Sequence, residues 1–248
     1  MRVAVYNQMF GLKGRSFFGN VMGHYFVHFQ KKPERVGKIV SLNETFEVVE
    51  KSGVDVVGIC EIYEGQENEI IFGLEKLGYR YFYFGRGHRF KYNDRHVVEL
   101  IASKIEGEQL DYRIWPIENR LGGGGGFVVV RFGGFSIMHV HLGLPTRGMF
   151  KKQIEYMQKI ISELKGKVIV MGDFNYSWCD LSEYFLSFDL ASGGVKTCSL
   201  TPIMRWLYNK DVDHVFCRGF GVGKFGTFES RSDHKLVYAD LNYVGDRI

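Results

Sequence analysis

Several short motifs in this chain put oxygen and imidazole groups where apolar runs stop. Gly172, Asp173, Phe174 and Asn175 follow the apolar residues 168–171 directly. Glycine permits a sharp turn, so a carboxylate and an amide two residues apart project from the end of a strand. Both are hard oxygen donors, suited to Mg²⁺ or Mn²⁺ and to orienting a water. Ser232, Asp233 and His234 precede a second apolar run, and Asp213 and His214 open a third. An Asp that fixes a histidine tautomer, beside a second Asp able to bind metal, suits general-base chemistry on water. Glu61 ends the run 54–60, where a charge is otherwise unexpected, and Asn7 ends the first run in the same way. His141 alternates with His139 along 135–142, and His139, two residues deeper, reads as a hydrogen-bonded core residue.

Each motif alone has a plain alternative. The tetrapeptide 172–175 would serve as a surface turn with an Asx hydrogen bond, Ser232–His234 as a capping turn, and Glu61 as an exit to solvent. Their joint meaning depends on the elements that carry them. Residues 3–6 and 54–59 are near-continuous apolar runs, the pattern of strands buried on both faces. Between them Ile39, Leu42, Phe46 and Val49 share one helical face. A second helix is expected around Ile70, Leu74 and Leu77, ended by Gly78 and followed by an aromatic strand at 79–84. Phe150, Ile154, Met157, Ile161 and Leu164 keep the helical period until Gly166, and the strand 167–171 follows. Further strands are expected at 97–103, 127–132, 135–142, 213–218 and 235–241, with Gly133 and Gly134 as a two-residue hairpin turn. The glycine run 122–126 reads as a loop or the start of a strand rather than a linker. The alternation favours an α/β layered fold in one domain spanning 1–248, with the site on loops after the strands.

Composition narrows the function classes. Lys and Arg number 32 against 28 Asp and Glu, a formal charge of +4, which suits an anionic substrate without by itself arguing for nucleic acid. The four cysteines, at 60, 179, 198 and 217, have no CxxC spacing, and Cys60 and Cys217 fall inside apolar runs that read as strands, which argues against zinc. There is no signal-peptide pattern and no apolar segment long enough to span a bilayer, so a soluble, cytoplasmic protein is expected.

Asn7 in "VYNQ", Glu61 in "GICEI", His141 in "HVHLG", "GDFN" at 172–175, Asp213 in "DVDHVF" and "SDH" at 232–234 occur in an order that resembles the endonuclease/exonuclease/phosphatase superfamily, the DNase I-like fold. Six motifs in order are far more specific than one. The resemblance implies a four-layer α/β/β/α sandwich, two mixed β-sheets face to face with helices outside. It implies a divalent-metal-dependent phosphoesterase using Mg²⁺ or Mn²⁺, with Glu61 as main metal ligand helped by Asn7 and Asp233. Asp173 and Asn175 would orient water and a phosphate oxygen. His234, held by Asp213, would be the base or a phosphate contact, and His141 would act on the leaving side. Arg147 and Gln153 also resemble the family's habit.

Two stretches depart from the pattern. The family's secreted nucleases pair the residue matching His141 with a Glu from an upstream loop. That region here reads Gly85, Arg86, Gly87, His88, Arg89, so the sequence names no partner for His141. Before Ser103, where relatives often carry an Asn-Gly pair, the chain reads Val97, Val98, Glu99, Leu100. For substrate, the basic aromatic stretch 85–96 favours nucleic acid, with Arg86 and Arg89 on phosphates and Phe90 or Tyr92 stacking on bases. The alternatives are a phospholipid head group or small phosphoester, with the aromatics of 10–29 (Phe17, Phe18, Tyr25 and Phe26 among them) at a membrane surface, and a catalytically inactive binding module.

Overall fold

The computed structural model describes residues 1–11, 41–89, 95–115, 125–144, 149–199, 209–230 and 232–243. In chain order the elements are β1 (Arg2–Asn7), α1 (Asn43–Ser52), β2 (Val56–Tyr63), α2 (Glu67–Glu75), β3 (Tyr81–Arg89), β4 (His96–Ser103), β5 (Glu108–Ile114), β6 (Gly126–Phe132) and β7 (Phe135–His141). There follow α3 (Phe150–Glu163), β8 (Lys167–Asp173), the single turn α4 (Trp178–Leu181), β9 (Asp189–Leu190), β10 (Cys198–Ser199), β11 (Asn209–Lys210), β12 (Asp213–Arg218), β13 (Phe220–Phe228) and β14 (Leu236–Tyr243).

Twelve of these strands form two six-stranded sheets, β13-β14-β1-β2-β4-β3 and β5-β6-β7-β8-β12-β9. Both are mixed, because β1 pairs parallel with β2 and β7 parallel with β8. Period-two alternation assigns each strand's side chains to one of two cores. Val3 and Val5 of β1, Ile137 of β7, Ile169 and Met171 of β8, Val215 of β12 and Val237 of β14 meet between the sheets. Their neighbours in sequence face outward under helices. Ala4, Tyr6, Val57 and Ile59 pack with Val48 and Val49 of α1 and with Ile70 and Leu74 of α2. Met138, Val140, Val168 and Val170 pack with Ile154, Met157 and Ile161 of α3. The result is the expected sandwich of two mixed sheets with helices outside.

Three expectations change. The aromatic strand does not stop at 84, since β3 continues through Arg89, and what read as a loop is a strand up to residue 89. A Cβ on Gly87 would strike Gly125, so these two glycines let β3 and the start of β6 pass at close range. Strands β5 and β13 were not among the expected strands: β5 carries three charged residues in seven, and β13 is broken up by glycines. Phe10, grouped with membrane-facing aromatics, is buried, at 2% exposure. Phe17, Phe18, Tyr25, Phe26, Phe90, Tyr92 and Arg147 lie outside the described residues. The 133–134 hairpin is as expected, and Gly126 opens β6.

Candidate active site

The alternation that builds the intersheet core also builds the site. Continuing each strand by two residues from its last apolar core position gives Asn7 after Val5, Asp173 after Met171, and His139 and His141 after Ile137. Running β12 and β4 back from Val215 and Ile101 gives Asp213 and Glu99. Five strands therefore end the apolar core with polar groups on the same inner faces. Register sets them side by side: Asp173 of β8 lies opposite His141 on one neighbour and Asp213 on the other.

Glu61 needs a special device. Val57 and Ile59 face the helix layer, and strict alternation would send Glu61 there too. The β2–β4 pairing slips between Ile59 and Ile62, so Cys60 and Glu61 oppose the single residue Glu99, and Ile62 recovers the helix side. Glu61 takes φ 58, a left-handed conformation unusual for a residue with a Cβ. Gln8 holds this bulge, its amide donating to the Glu61 carbonyl at 3.4 Å while its own Oε1 accepts from Thr45 at 2.9 Å.

Asn7 links the two sheets. Its Nδ2 donates to Asp173 Oδ2 at 2.9 Å and to Glu61 Oε1 at 3.2 Å. Its Oδ1 accepts from the Met9 backbone at 2.9 Å, an Asx turn that fixes which end of the amide faces the carboxylates. The Ser232 hydroxyl donates to the Asn7 carbonyl at 2.8 Å and so tethers the Ser-Asp-His segment to β1. His141 Nε2 lies 3.7 Å from Glu61 Oε1 and 3.9 Å from Asp173 Oδ2. His234 Nε2 lies 3.8 Å from the same Asp173 oxygen, and its Nδ1 pairs with Asp213 Oδ2 at 2.8 Å. Asp173 Oδ1 accepts the Asn175 amide N–H at 2.8 Å, and Asn175 Nδ2 donates to the Leu142 carbonyl at 2.7 Å.

The expected residues Asn7, Glu61, His141, Asp173, Asn175, Asp213 and His234 thus meet at one end of the core. Asp233 sits half-buried at the rim, with a carboxylate oxygen within 4.8 Å of a His234 ring nitrogen and of Cys198 Sγ. Gln153 is buried and accepts the Gly143 N–H at 3.1 Å, a structural contact. His214 points the other way, under Phe174 and Phe216, with Nε2 3.0 Å from the Tyr176 carbonyl. Arg86 reaches Glu64 at 3.9 Å with its side chain largely exposed, and Arg95 donates to the Glu64 carbonyl at 2.6 Å.

The residue missed from sequence is Glu99. The partner of His141 comes from β4, not from the upstream segment: Glu99 Oε1 meets His141 Nδ1 at 3.0 Å. Glu99 is fully buried, and its other oxygen lies 3.6 Å from Nε2 of His139, itself buried as expected. A Cβ on Gly125 would collide with the Glu99 carboxylate, so the end of the glycine run leaves space for it. The available signal was a charge inside the apolar run 97–102.

Electrostatics follow from burial and pairing. Burial alone would lower His141, but Glu99, through charge and hydrogen bond, then Asp173 and Glu61, raise it to about 9. Burial works against His234 too, and Asp213 with Asp173 outweighs it, holding the ring well above its ordinary range. Glu99 is pushed up by burial and pulled further down by His141 and His139, ending below the usual carboxylate value. Asp173 ends above it, because burial and the neighbouring Asp213 outweigh the two histidines and Asn7. A raised histidine stabilises the fold below its unfolded value of 6.5, and the contribution fades as pH climbs through about 9. A lowered carboxylate stabilises above its ordinary value and loses this on acidification. Glu99→Gln should therefore destabilise most near pH 5–6, where both partners are charged, and least above pH about 9. Chemical denaturation across that range, without added metal, checks this; a penalty independent of pH would refute the ion pair.

The residues fit a hard divalent cation. Two carboxylates, Glu61 and Asp173, here share the neutral Asn7 amide, an oxygen-rich set with the His141 imidazole beside Glu61. Among the described residues no helix is long and apolar enough to cross a membrane.

Residues 27–234 match the model of the Endonuclease/Exonuclease/phosphatase family. A search of curated proteins returned no match. Among solved structures, an endonuclease/exonuclease/phosphatase from Beutenbergia cavernae is similar at a TM-score of 0.67 and 14% identity, covering 98% of this chain and 71% of that one. D. rerio TDP2 complexed with single-strand DNA product gives 0.61 and 15%, with 98% of both chains covered. The 3'-5' exonuclease NExo from Neisseria meningitidis gives 0.60 and 12%, covering 98% of this chain and all of that one. The match over most of the chain, on two mixed six-stranded sheets flanked by helices, places this protein in the endonuclease/exonuclease/phosphatase family, whose members are generally phosphoester hydrolases.

Proposed function

We propose that this chain, acting as one domain, is a divalent-metal-dependent phosphodiesterase cutting nucleic acid, with Asn7, Glu61, Glu99, His141, Asp173, Asn175, Asp213, Asp233 and His234 as its working set. The observation that carries the reading is Asp173 Oδ2, bonded to Asn7 and facing two histidines, each held by its own buried carboxylate. Intact acid, base and metal-type residues argue against an inactive module.

Hydrolysis of a phosphodiester requires an in-line water, cover for charge on the non-bridging oxygens, and a proton for the departing alkoxide. Mg²⁺ or Mn²⁺ held by Glu61 and Asp233, with Asn7 beside them, would supply positive charge to the phosphate oxygens. Asp173 is the proton acceptor for the water. Its raised pKa makes it a stronger base than an exposed Asp, and the Asn175 N–H fixes the carboxylate plane. His234, kept cationic by Asp213, contacts a non-bridging oxygen rather than acting as base. His141, cationic at neutral pH through Glu99, donates its proton on the leaving side. Asp213→Ala should lower kcat by at least about tenfold, because His234 then loses the carboxylate that keeps it cationic and aimed at the phosphate oxygen. Unchanged kcat in steady-state assays would remove His234 from this role.

Nucleic acid is favoured by the mildly basic charge and by the exposed Arg86 on β3. Similarity to TDP2 complexed with single-strand DNA product and to a 3'-5' exonuclease lends support. If Arg86 touches a backbone phosphate, Arg86→Ala weakens binding and flattens the slope of log K against log[salt] by up to about one unit on duplex DNA. Hydrolysis of a small phosphodiester stays unchanged. An unaltered slope on one oligonucleotide would exclude Arg86 as a phosphate contact. A divalent-ion-dependent screen across DNA, RNA, abasic DNA, sphingomyelin and phosphomonoesters tests the substrate class, and turnover confined to lipid or to monoesters would overturn the nuclease reading.

A further inference from the structure

We propose that Cys198, Asp233 and His234 form a binding site for a thiophilic divalent cation of the zinc class, and that filling it silences the enzyme by withdrawing His234. The second half rests on the function proposed for His234; the first does not. One donor atom from each residue lies within 4.8 Å of the other two. Ligand atoms around a tetrahedral zinc stand roughly 3.5 Å apart for Zn–S and Zn–N bonds of about 2.3 and 2.0–2.1 Å, so small side-chain rotations would close the set.

The backbone holds these donors together. Cys198 and His234 face each other in an isolated antiparallel bridge. Beside them the Lys235 N–H donates to the Thr197 carbonyl at 2.8 Å. The Thr197 hydroxyl accepts the N–H groups of Val212 and Asp213, each at 3.1 Å, which ties this corner to the start of β12. Asp213 already orients His234 through Nδ1, the outer-layer carboxylate–histidine contact typical of zinc sites.

Asp233 is common to this position and the one proposed beside Glu61, and the remaining donors distinguish the two. Sulfur and imidazole favour zinc-like ions, whereas Glu61 and its neighbours offer oxygen, suited to magnesium. Cys198 and His234 are buried while Asp233 is half-exposed, so an ion would reach the site past Asp233. As a neutral thiol kept protonated by burial, Cys198 would release its proton to solvent when the metal–sulfur bond forms, and the His234 cation would release the proton of whichever ring nitrogen binds. Either ring nitrogen gives the same outcome. Coordination through Nε2 covers the atom facing Asp173, and coordination through Nδ1 displaces Asp213. The sequence hides the cluster because its members are 35 residues apart and show no CxxC spacing.

The test uses Cd²⁺ and Zn²⁺ on the full chain carrying Cys179→Ser, which removes the exposed thiol. Cd²⁺ titration should give a thiolate-to-metal charge-transfer absorption that saturates at one equivalent. Adding Cys198→Ser should abolish it, and Asp233→Asn should weaken it, with unchanged thermal melts. No such absorption, or one that survives Cys198→Ser, overturns the site and leaves the proposed function standing. With saturating Mg²⁺ and an oligonucleotide, Zn²⁺ should inhibit the Cys179→Ser protein, and Cys198→Ser should raise the half-inhibiting concentration by about tenfold or more. Binding without inhibition would overturn the coupling to His234. Failure of every substrate would sink the proposed function while the absorption arm still decides the site.

Discussion

Asp173→Asn should lower kcat by about 10²–10⁴-fold, the range for removing a positioned general base, with little change in fold. Asp173 ends β8 at the meeting of three strands, with His141 opposite it on β7 and Asp213 on β12. Its Oδ2 is the atom on which Asn7, His141 and His234 converge. Asparagine keeps the shape and one acceptor but cannot take a proton. Stability should move the other way. Burial and Asp213 raise the Asp173 pKa, so the folded state holds this proton more tightly than the unfolded chain does. A carboxylate of that kind favours folding at low pH and costs stability as pH rises past its folded value. The Asn variant should therefore melt at or above wild type at neutral pH, with the gap closing on acidification. Single-turnover rates at saturating Mg²⁺ and melts at two pH values check both halves. Near-full turnover in the variant would remove Asp173 as the base.

What could be read from the sequence divides along the physics. Strand-end polar residues were visible because alternation ties them to apolar partners in the same strand: Val3, Val5, Asn7, or Ile169, Met171, Asp173. Any residue in phase with a buried face inherits that face. Register and bulges were invisible, and they assign partners. Glu99 stands in phase with Ile101, yet its pairing with His141 depends on two sheets meeting face to face, which local pattern does not encode. The segment 85–89 holds no carboxylate because β3 continues there, and β4 supplies the charge instead. Edge strands such as β13, rich in glycine and half-exposed, carry little alternation for a sequence to display. Cys198 joins His234 only through a bridge between distant segments.

Glu61 is where fold and function pull apart, and a pair of substitutions should expose the conflict. Most strand positions prefer Ala to Gly by about 0.5–1 kcal/mol, because glycine loses more freedom on folding. Glu61 sits at φ 58, where a residue bearing a Cβ costs about 1–2 kcal/mol and glycine costs almost nothing. Glycine's extra unfolded-state entropy offsets about 0.4–1 kcal/mol of that gain. Glu61→Gly should therefore be more stable than Glu61→Ala by about 1 kcal/mol, reversing the usual order and separating the melts by about 2–4 °C for a chain of this size. Both variants lose the carboxylate beside Asp173 and His141, so both should be inactive at ordinary Mg²⁺. Outer-layer partners of a metal are worth about 10–100-fold, and a direct ligand should be worth at least the upper figure in kcat/KM. The bulge would then be strain held in place for the sake of aim: without it, alternation would turn Glu61 toward the helices beside Ile59. Metal-free melts of the two variants, read beside their Mg²⁺ dependence, decide it. Glu61→Ala equal to or more stable than Glu61→Gly would show that the left-handed turn carries no strain, and wild-type kcat/KM in either would remove Glu61 from the metal site.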